Sequence, residues 1–247
     1  MIDEEALLRA HYPDLVPAGG LVAAMAGLAR VTGVPLSSVV PGGQSSGVRS
    51  ATVRSPTGYF AVYLDTEERD FVVVFWDRGV KMGGGATADL DEVVRAASAW
   101  QQGLPLREMK ARAGFVYYDE LGEAHEAGAA QAVAVKWRML REGPQEDIGA
   151  LARAAEPVPE VACLFPYLSH SVLLLSRCTG YPYTHDTPCV RPPVGSFGFQ
   201  VLAPDGSRMF AETETAEEAV RALAAALPPD CGPARRGTAE DTEQQED

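Results

Sequence analysis

The chain has 247 residues, of which 46% are hydrophobic and 22% charged, enough for one large core or two smaller ones in a soluble globular protein. Acidic residues outnumber basic ones, 34 to 21, for a net charge of −13. Such a surface repels phosphate backbones and excludes nucleic acid as a general partner. No apolar run approaches the roughly 18 residues of a membrane span. The acidic start Met1-Ile2-Asp3-Glu4-Glu5 is not the basic-then-apolar pattern of a secretory signal. No membrane partner and a cytoplasmic location are therefore expected. Cys163, Cys178, Cys189 and Cys231 show no Cys-x-x-Cys spacing and read as reduced thiols.

The first element is a short helix from Glu4 to Ala10, broken at Pro13. A second helix runs from Leu21 to Thr32 with Leu21, Met25, Leu28 and Ala29 on one face, and Gly33 and Pro35 stop it. Pro41 to Gly47 is a Gly- and Ser-rich loop. Strands follow over Ala51–Arg54, Tyr59–Leu64, Phe71–Trp76 and Val80–Gly83, rich in branched and aromatic residues and separated by turn residues. Gly83-Gly84-Gly85 lacks the Lys-Ser/Thr of a phosphate-binding loop and the glycine spacing of a dinucleotide loop. It reads as a flexible connection into a helix capped by Thr87 and Asp89, which runs to about Gln102.

Residues 104–156 are mostly helical: Leu106–Ala113, then Leu121–Gly143 as one or two helices because Gly128 weakens the middle, then Ile148–Ala155. Phe115–Tyr118 is apolar and fits either class. Val172–Arg177 is a strand, whereas Pro182 and Pro188 make Tyr181–Val190 an edge strand or a loop. Phe197–Leu202 and Arg208–Glu212 flank the turn Ala203-Pro204-Asp205-Gly206 as a hairpin. Thr213–Leu227 is a helix, with Thr215 and Glu218 as a capping box. Residues 233–247 hold almost nothing apolar and read as a disordered acidic tail.

Segments 50–102 and 171–227 follow one plan, strands and then an Ala-rich helix. Thr87-Ala88-Asp89 before Val93-Val94-Arg95-Ala96 echoes Thr213-Glu214-Thr215 before Ala219-Val220-Arg221-Ala222. The expected fold is α+β, with two antiparallel βββα-like halves, read as an internal duplication and joined by a helical segment. The expected organisation is N-terminal helices (1–45), a first strand–helix unit (46–114), a helical connector (115–158), a second unit (159–232) and the tail (233–247).

Chemistry concentrates between Ser169 and Cys189, which holds two of the four histidines and two of the four cysteines. Arg177, Tyr181, Tyr183, His185 and Asp186 combine a planar cation, aromatic faces and polar tips, the make-up of a ligand-binding rim or of a tight polar turn. His170, His185 and Asp186 are the candidate catalytic groups. Ser169 and Ser171 flank His170, but adjacent strand residues point to opposite faces, so neither makes a good Ser–His dyad. Only His185 and Cys189 have a zinc-like spacing, with Cys178 too far before them. Glu120, Glu123, Glu126 and His125 offer one carboxylate–histidine helix where a bundle site needs two. Neither a metal nor a cofactor is expected.

The order of several motifs carries a resemblance. They are His11-Tyr12-Pro13-Asp14-Leu15-Val16, Ala88-Asp89-Leu90-Asp91-Glu92-Val93-Val94-Arg95-Ala96-Ala97, Phe165-Pro166-Tyr167-Leu168-Ser169-His170, Ser176-Arg177-Cys178-Thr179-Gly180-Tyr181-Pro182-Tyr183-Thr184 and Leu227-Pro228-Pro229-Asp230-Cys231-Gly232-Pro233-Ala234. Over nearly all of residues 11–241 the chain resembles an actinobacterial family of unknown function labelled natural-product biosynthesis protein. The resemblance implies work beside a biosynthetic gene cluster and supplies no catalytic residues. The expected function is an accessory or binding protein that recognises a peptide or small molecule through Arg177–Cys189. Two alternatives stand beside it. One is an enzyme using His170 or His185 as acid/base. The other is an immunity-type protein whose acidity attracts a basic protein partner.

Overall fold

The computed structural model describes residues 3–43 and 46–243. The chain divides into two compact units: Met1–Asp77 with Lys81–Glu126, and Arg78–Val80 with Ala127–Asp247.

The first unit opens with α1 (Glu4–His11), whose N-cap Asp3 accepts from the Glu5 and Ala6 amides. Helix α2 (Leu21–Thr32) ends at Gly33, in the left-handed conformation that glycine adopts most readily. A six-stranded sheet follows: β1 (Val39–Pro41), β2 (Ser50–Arg54), β3 (Gly58–Leu64), β4 (Phe71–Asp77), β5 (Val80–Thr87) and β6 (Val116–Tyr117). Its strands lie side by side in chain order. Period-two alternation puts Phe60, Val62 and Leu64 of β3 opposite Phe75, Val73 and Phe71 of β4 on the buried face. Helix α3 (Leu90–Gln101) covers that face, with the Trp100 ring 4.9 Å from that of Phe75. Helices α4 (Leu106–Arg112) and α5 (Glu120–Ala127) complete the unit.

Three expectations change here. Val39–Pro41, next to and partly inside the expected loop, pairs with β2; of the remaining loop, residues 44 and 45 lie outside the described residues. The ambiguous Phe115–Tyr118 supplies strand β6. Gly83, Gly84 and Gly85 are buried within β5 and form no flexible connection. A Cβ on Gly83 would stand 2.4 Å from the Phe75 ring and 2.5 Å from the Tyr117 carbonyl, and one on Gly85 would stand 2.6 Å from the Phe115 carbonyl. These glycines let β6 approach.

The second unit contains α6 (Ala129–Arg141), α7 (Glu146–Ala155) and α8 (Pro159–Ala162). Gly128, at φ 130°, separates α5 from α6. The five-stranded sheet comprises β7 (Phe165–Ser169), β8 (Val172–Ser176), β9 (Cys189–Arg191), β10 (Phe199–Leu202) and β11 (Met209–Thr213), again neighbours in chain order. Helix α9 (Ala216–Ala225) packs on β9, β10 and β11. The Thr215 hydroxyl accepts from the Glu218 amide at 3.2 Å, the expected cap. Leu151, Leu164, Leu173, Leu175, Val190, Val201, Val220 and Leu223 form the core between α7, α9 and the sheet. The molecule is thus α+β, with two antiparallel sheets, each covered by a helix: α3 after the fifth strand of the first sheet, α9 after the last strand of the second. Among the described residues no helix is long and apolar enough to cross a membrane.

The expected disordered tail is corrected over 233–243. Arg235 bridges Cys178 in parallel, its amide donating to the Arg177 carbonyl at 2.9 Å and its carbonyl accepting from Thr179 at 3.0 Å. Gly180 donates to the Gly237 carbonyl at 2.7 Å, and Ala239 to that of Pro182 at 2.8 Å. Helix α10 (Ala239–Glu243) follows, with Thr242 buried. The anchors are backbone hydrogen bonds, which leave no mark on composition. Residues 244–247 lie outside the described residues.

Candidate functional site

The candidate site grows from the β7–β8 hairpin. His170 and Ser171 both take positive φ, 50° and 64°, the pattern of a two-residue hairpin turn. His170 is exposed there, and because it lies in the turn and not on the strand its Nδ1 comes within 3.1 Å of Ser169 Oγ, a contact that strand alternation argued against. Arg177 follows the other end of β8, so a whole strand separates these two groups. The structure does not bring His170 to the Arg177 end.

Beyond β8 the chain bends around buried hydroxyls. Ser176 Oγ accepts from the amides of Cys178 and Thr184 at 3.0 and 3.2 Å. Thr184 Oγ1 accepts from the Arg177 amide at 2.9 Å, and Thr187 Oγ1 donates to the Leu175 carbonyl at 2.7 Å. Buried polar groups paired in this way fix a backbone that lies outside the sheet and meets the C-terminal segment. The Tyr181–Pro182 peptide is cis, and the Tyr181 amide donates to Gly79 of the same unit at 3.0 Å.

On this scaffold stand four aromatic rings. Tyr183 stacks on Phe165 and Tyr167, with centroids 5.7 and 4.3 Å away, and Tyr181 meets Tyr183 edge-on at 6.0 Å. Tyr181 is 65% exposed. The Tyr167 hydroxyl lies 3.0 Å from His185 Nδ1, while Arg177 Nε and Nη2 each lie 2.7 Å from Asp186 Oδ2. His185 and Asp186 face solvent. Arg177, Tyr181, Tyr183, His185 and Asp186 therefore sit on one loop, but the Arg177 fork is turned to Asp186.

Burial pushes the Tyr167 phenol far above its usual range, with Tyr183 adding to the effect, and burial also raises Tyr183. Both remain O–H groups at neutral pH, so Tyr167 either donates to a bare Nδ1 or accepts from Nδ1–H. The Cys189 thiol is raised by burial as well. Cys231 is pushed up to about 11, first by burial and then by the nearby Asp186 charge, which Arg177 partly offsets. Cys178 is buried against Ser176 Oγ at 3.3 Å. His125 is buried within α5. Among the described residues no group of three or more His, Cys, Asp or Glu is placed to hold a metal ion.

Sequence reasoning missed two members of this region. Tyr167 lies on β7, a strand the sequence reading did not assign; the alternation of Phe165 with Tyr167 was the available signal. Cys231 reaches the ion pair from a distant loop and carries no local signal. Two clefts in the first unit were also missed. One, of about 760 Å³, runs between α2 and the start of α3 and is lined by Ala24, Gly27, Leu28, Arg69 and Asp89 among others. The other, of about 370 Å³, lies between α3 and α4.

A family of unknown function (DUF6193) matches residues 131–238, which include the whole of this hairpin and loop. No curated protein and no solved structure matches the chain.

Proposed function

We propose that the chain is an accessory or binding protein of a natural-product biosynthetic pathway, recognising a peptide or small molecule through the Arg177–Cys189 loop. The pathway rests on the sequence resemblance. The recognition role rests on one observation: a stacked aromatic array with a buried base and an exposed tip at Tyr181, His185 and Asp186. Tyr181 and Tyr183 offer apolar ring faces that lose little side-chain freedom on binding. Asp186, steadied by Arg177, offers an acceptor to an amide or ammonium group. Arg177 thereby positions Asp186.

The test is a thermal-shift and titration screen of peptides and small metabolites against the wild-type chain, Tyr181→Ala and His185→Ala. At least one ligand that raises the wild-type melting temperature is expected to bind each variant at least about tenfold more weakly, with unchanged circular dichroism. A screen in which every stabilising ligand binds both variants as tightly as wild type sinks the assignment.

One contact favours a second reading. Tyr167, at 3.0 Å from His185 Nδ1, holds the ring in place, and a held ring can present its other nitrogen for acid/base work. Turnover of a ligand found in the screen, lost in His185→Ala and kept in Tyr181→Ala, would establish an enzyme.

A further inference from the structure

We propose that the α3–α4 cleft of the first unit is a second ligand site, one that takes a small carboxylate with a short apolar body. The cleft holds about 370 Å³, within the range of small-molecule pockets. Arg95, Ser98, Ala99 and Gln102 of α3 and its C-cap recur at helical spacing along one wall. Met109, Arg112 and Ala113 do so on α4 and its C-cap, and Val34 closes one side. The hollow exists because Ala96, Ala99 and Ala113 place only methyl groups where larger side chains would fill it.

Charge decides the ligand. The chain carries −13 overall, yet among the described residues lining this cleft the charged groups are Arg95 and Arg112, with no carboxylate. Two full positive charges stand on the lining itself, while the opposing charge is the helix C-termini, about half a unit each, and the Asp91 and Glu108 carboxylates, which lie outside the lining. Each guanidinium also has an acidic neighbour one turn earlier, Arg95 with Asp91 at 2.5 Å and Arg112 with Glu108 at 3.6 Å. Both arginines are mostly exposed, and such pairs contribute little, so each can turn to a ligand. Gln102 Nε2 donates to Ser98 Oγ at 2.8 Å, and Ser98 donates to the Pro35 carbonyl at 2.7 Å, which holds the polar end in place. Met109 is fully buried behind the cleft, so the apolar surface is that of half-buried Val34 and of the alanines. A carboxylate reaching both guanidiniums, with a few methylenes on Val34 and the alanines, satisfies the set.

Hexanoate is the probe, with hexylamine, hexanol and acetate as controls for charge and length, read by isothermal titration calorimetry. Hexanoate is expected to bind, and the controls to bind at least about tenfold more weakly. Arg95→Ala and Arg112→Ala should each weaken hexanoate by about tenfold, the effect of one charge-assisted hydrogen bond. Ala99→Leu, which fills the hollow and keeps both arginines, should abolish binding. Should Ala99→Leu misfold, the exposed double change Arg95→Ala with Arg112→Ala serves alone. Equal affinity for hexylamine, undiminished hexanoate affinity in the double variant, or no hexanoate binding at all overturns the proposal. Tyr181→Ala should leave hexanoate binding untouched, which separates this site from the loop of the second unit.

Discussion

Arg69 ties together three stretches of the first unit. Its Nη1 and Nη2 bond both Asp14 oxygens at 2.6 and 3.0 Å, its Nε reaches the Ala88 carbonyl at 3.1 Å, and its plane lies over Tyr12 and Phe71. The bond from Arg69 holds the Asp14 carboxyl below its ordinary value. A lowered folded value means the pair stabilises the fold above the unfolded value of about 4, and that this is lost as pH falls through the folded value. The side chains are 34% and 50% exposed, so screening keeps the worth of the pair below about 1 kcal/mol. Asp14→Asn should therefore flatten the acid limb of a urea-midpoint-versus-pH curve below about pH 4. Arg69→Ala should cost more, about 1–2 kcal/mol, and at every pH, because the stacking over two rings is lost too. Equal losses in the two variants at neutral pH would refute this. None of these partnerships was legible in the sequence, since Asp14 and Arg69 stand 55 positions apart. The loop residues Arg177 to Asp186 were legible because their composition marks a turn, whereas the ion pair between the two ends was not.

At the scale of elements, pattern succeeded where burial was one-sided. The helix Leu21–Thr32 and the strands β3 and β4 follow from apolar spacing alone. It failed where an element is built from residues that carry no pattern: Gly83-Gly84-Gly85 in β5, Pro166 in β7, and the three-residue β1. In β5 the reason for glycine is space, and this gives a sharp contrast. Gly83→Ala forces a methyl against the Phe75 ring and the Tyr117 carbonyl and should cost about 2–3 kcal/mol in urea unfolding. Gly114→Ala, where a Cβ meets nothing within 4 Å, should stay within about 0.5 kcal/mol of wild type. A mild effect at Gly83 would mean that β6 can move away from β5.

For the molecule as a whole, both units share one construction, strands meandering in chain order and then a helix laid over them, to which the first unit adds β6 after its helix. We favour duplication as its origin on the matching helix starts. The C-terminal segment belongs to the second unit in its own right. Arg235, Gly237 and Ala239 satisfy backbone groups at Arg177, Thr179, Gly180 and Pro182. Truncation after residue 232 strips four such bonds from the candidate recognition loop. It should lower the melting temperature by several degrees, at about 2–4 °C per kcal/mol for a chain of this size, and should weaken ligands found for that loop. An unchanged melting curve would show that these bonds are replaced by water at no cost. Composition hid this docking because it depends on amides, which every residue has.

The buried hydroxyls behind the loop also bear on the speed of recognition. Arg177, Cys178 and Thr184 have their amides committed to Ser176 and Thr184 oxygens, so opening the loop means breaking a largely buried cluster of linked hydrogen bonds. On the proposed recognition role, a partner would then meet a surface already in its final form. Capture would need no waiting step for a rare conformer, and differences among partners would fall on how long they stay, that is, on dissociation.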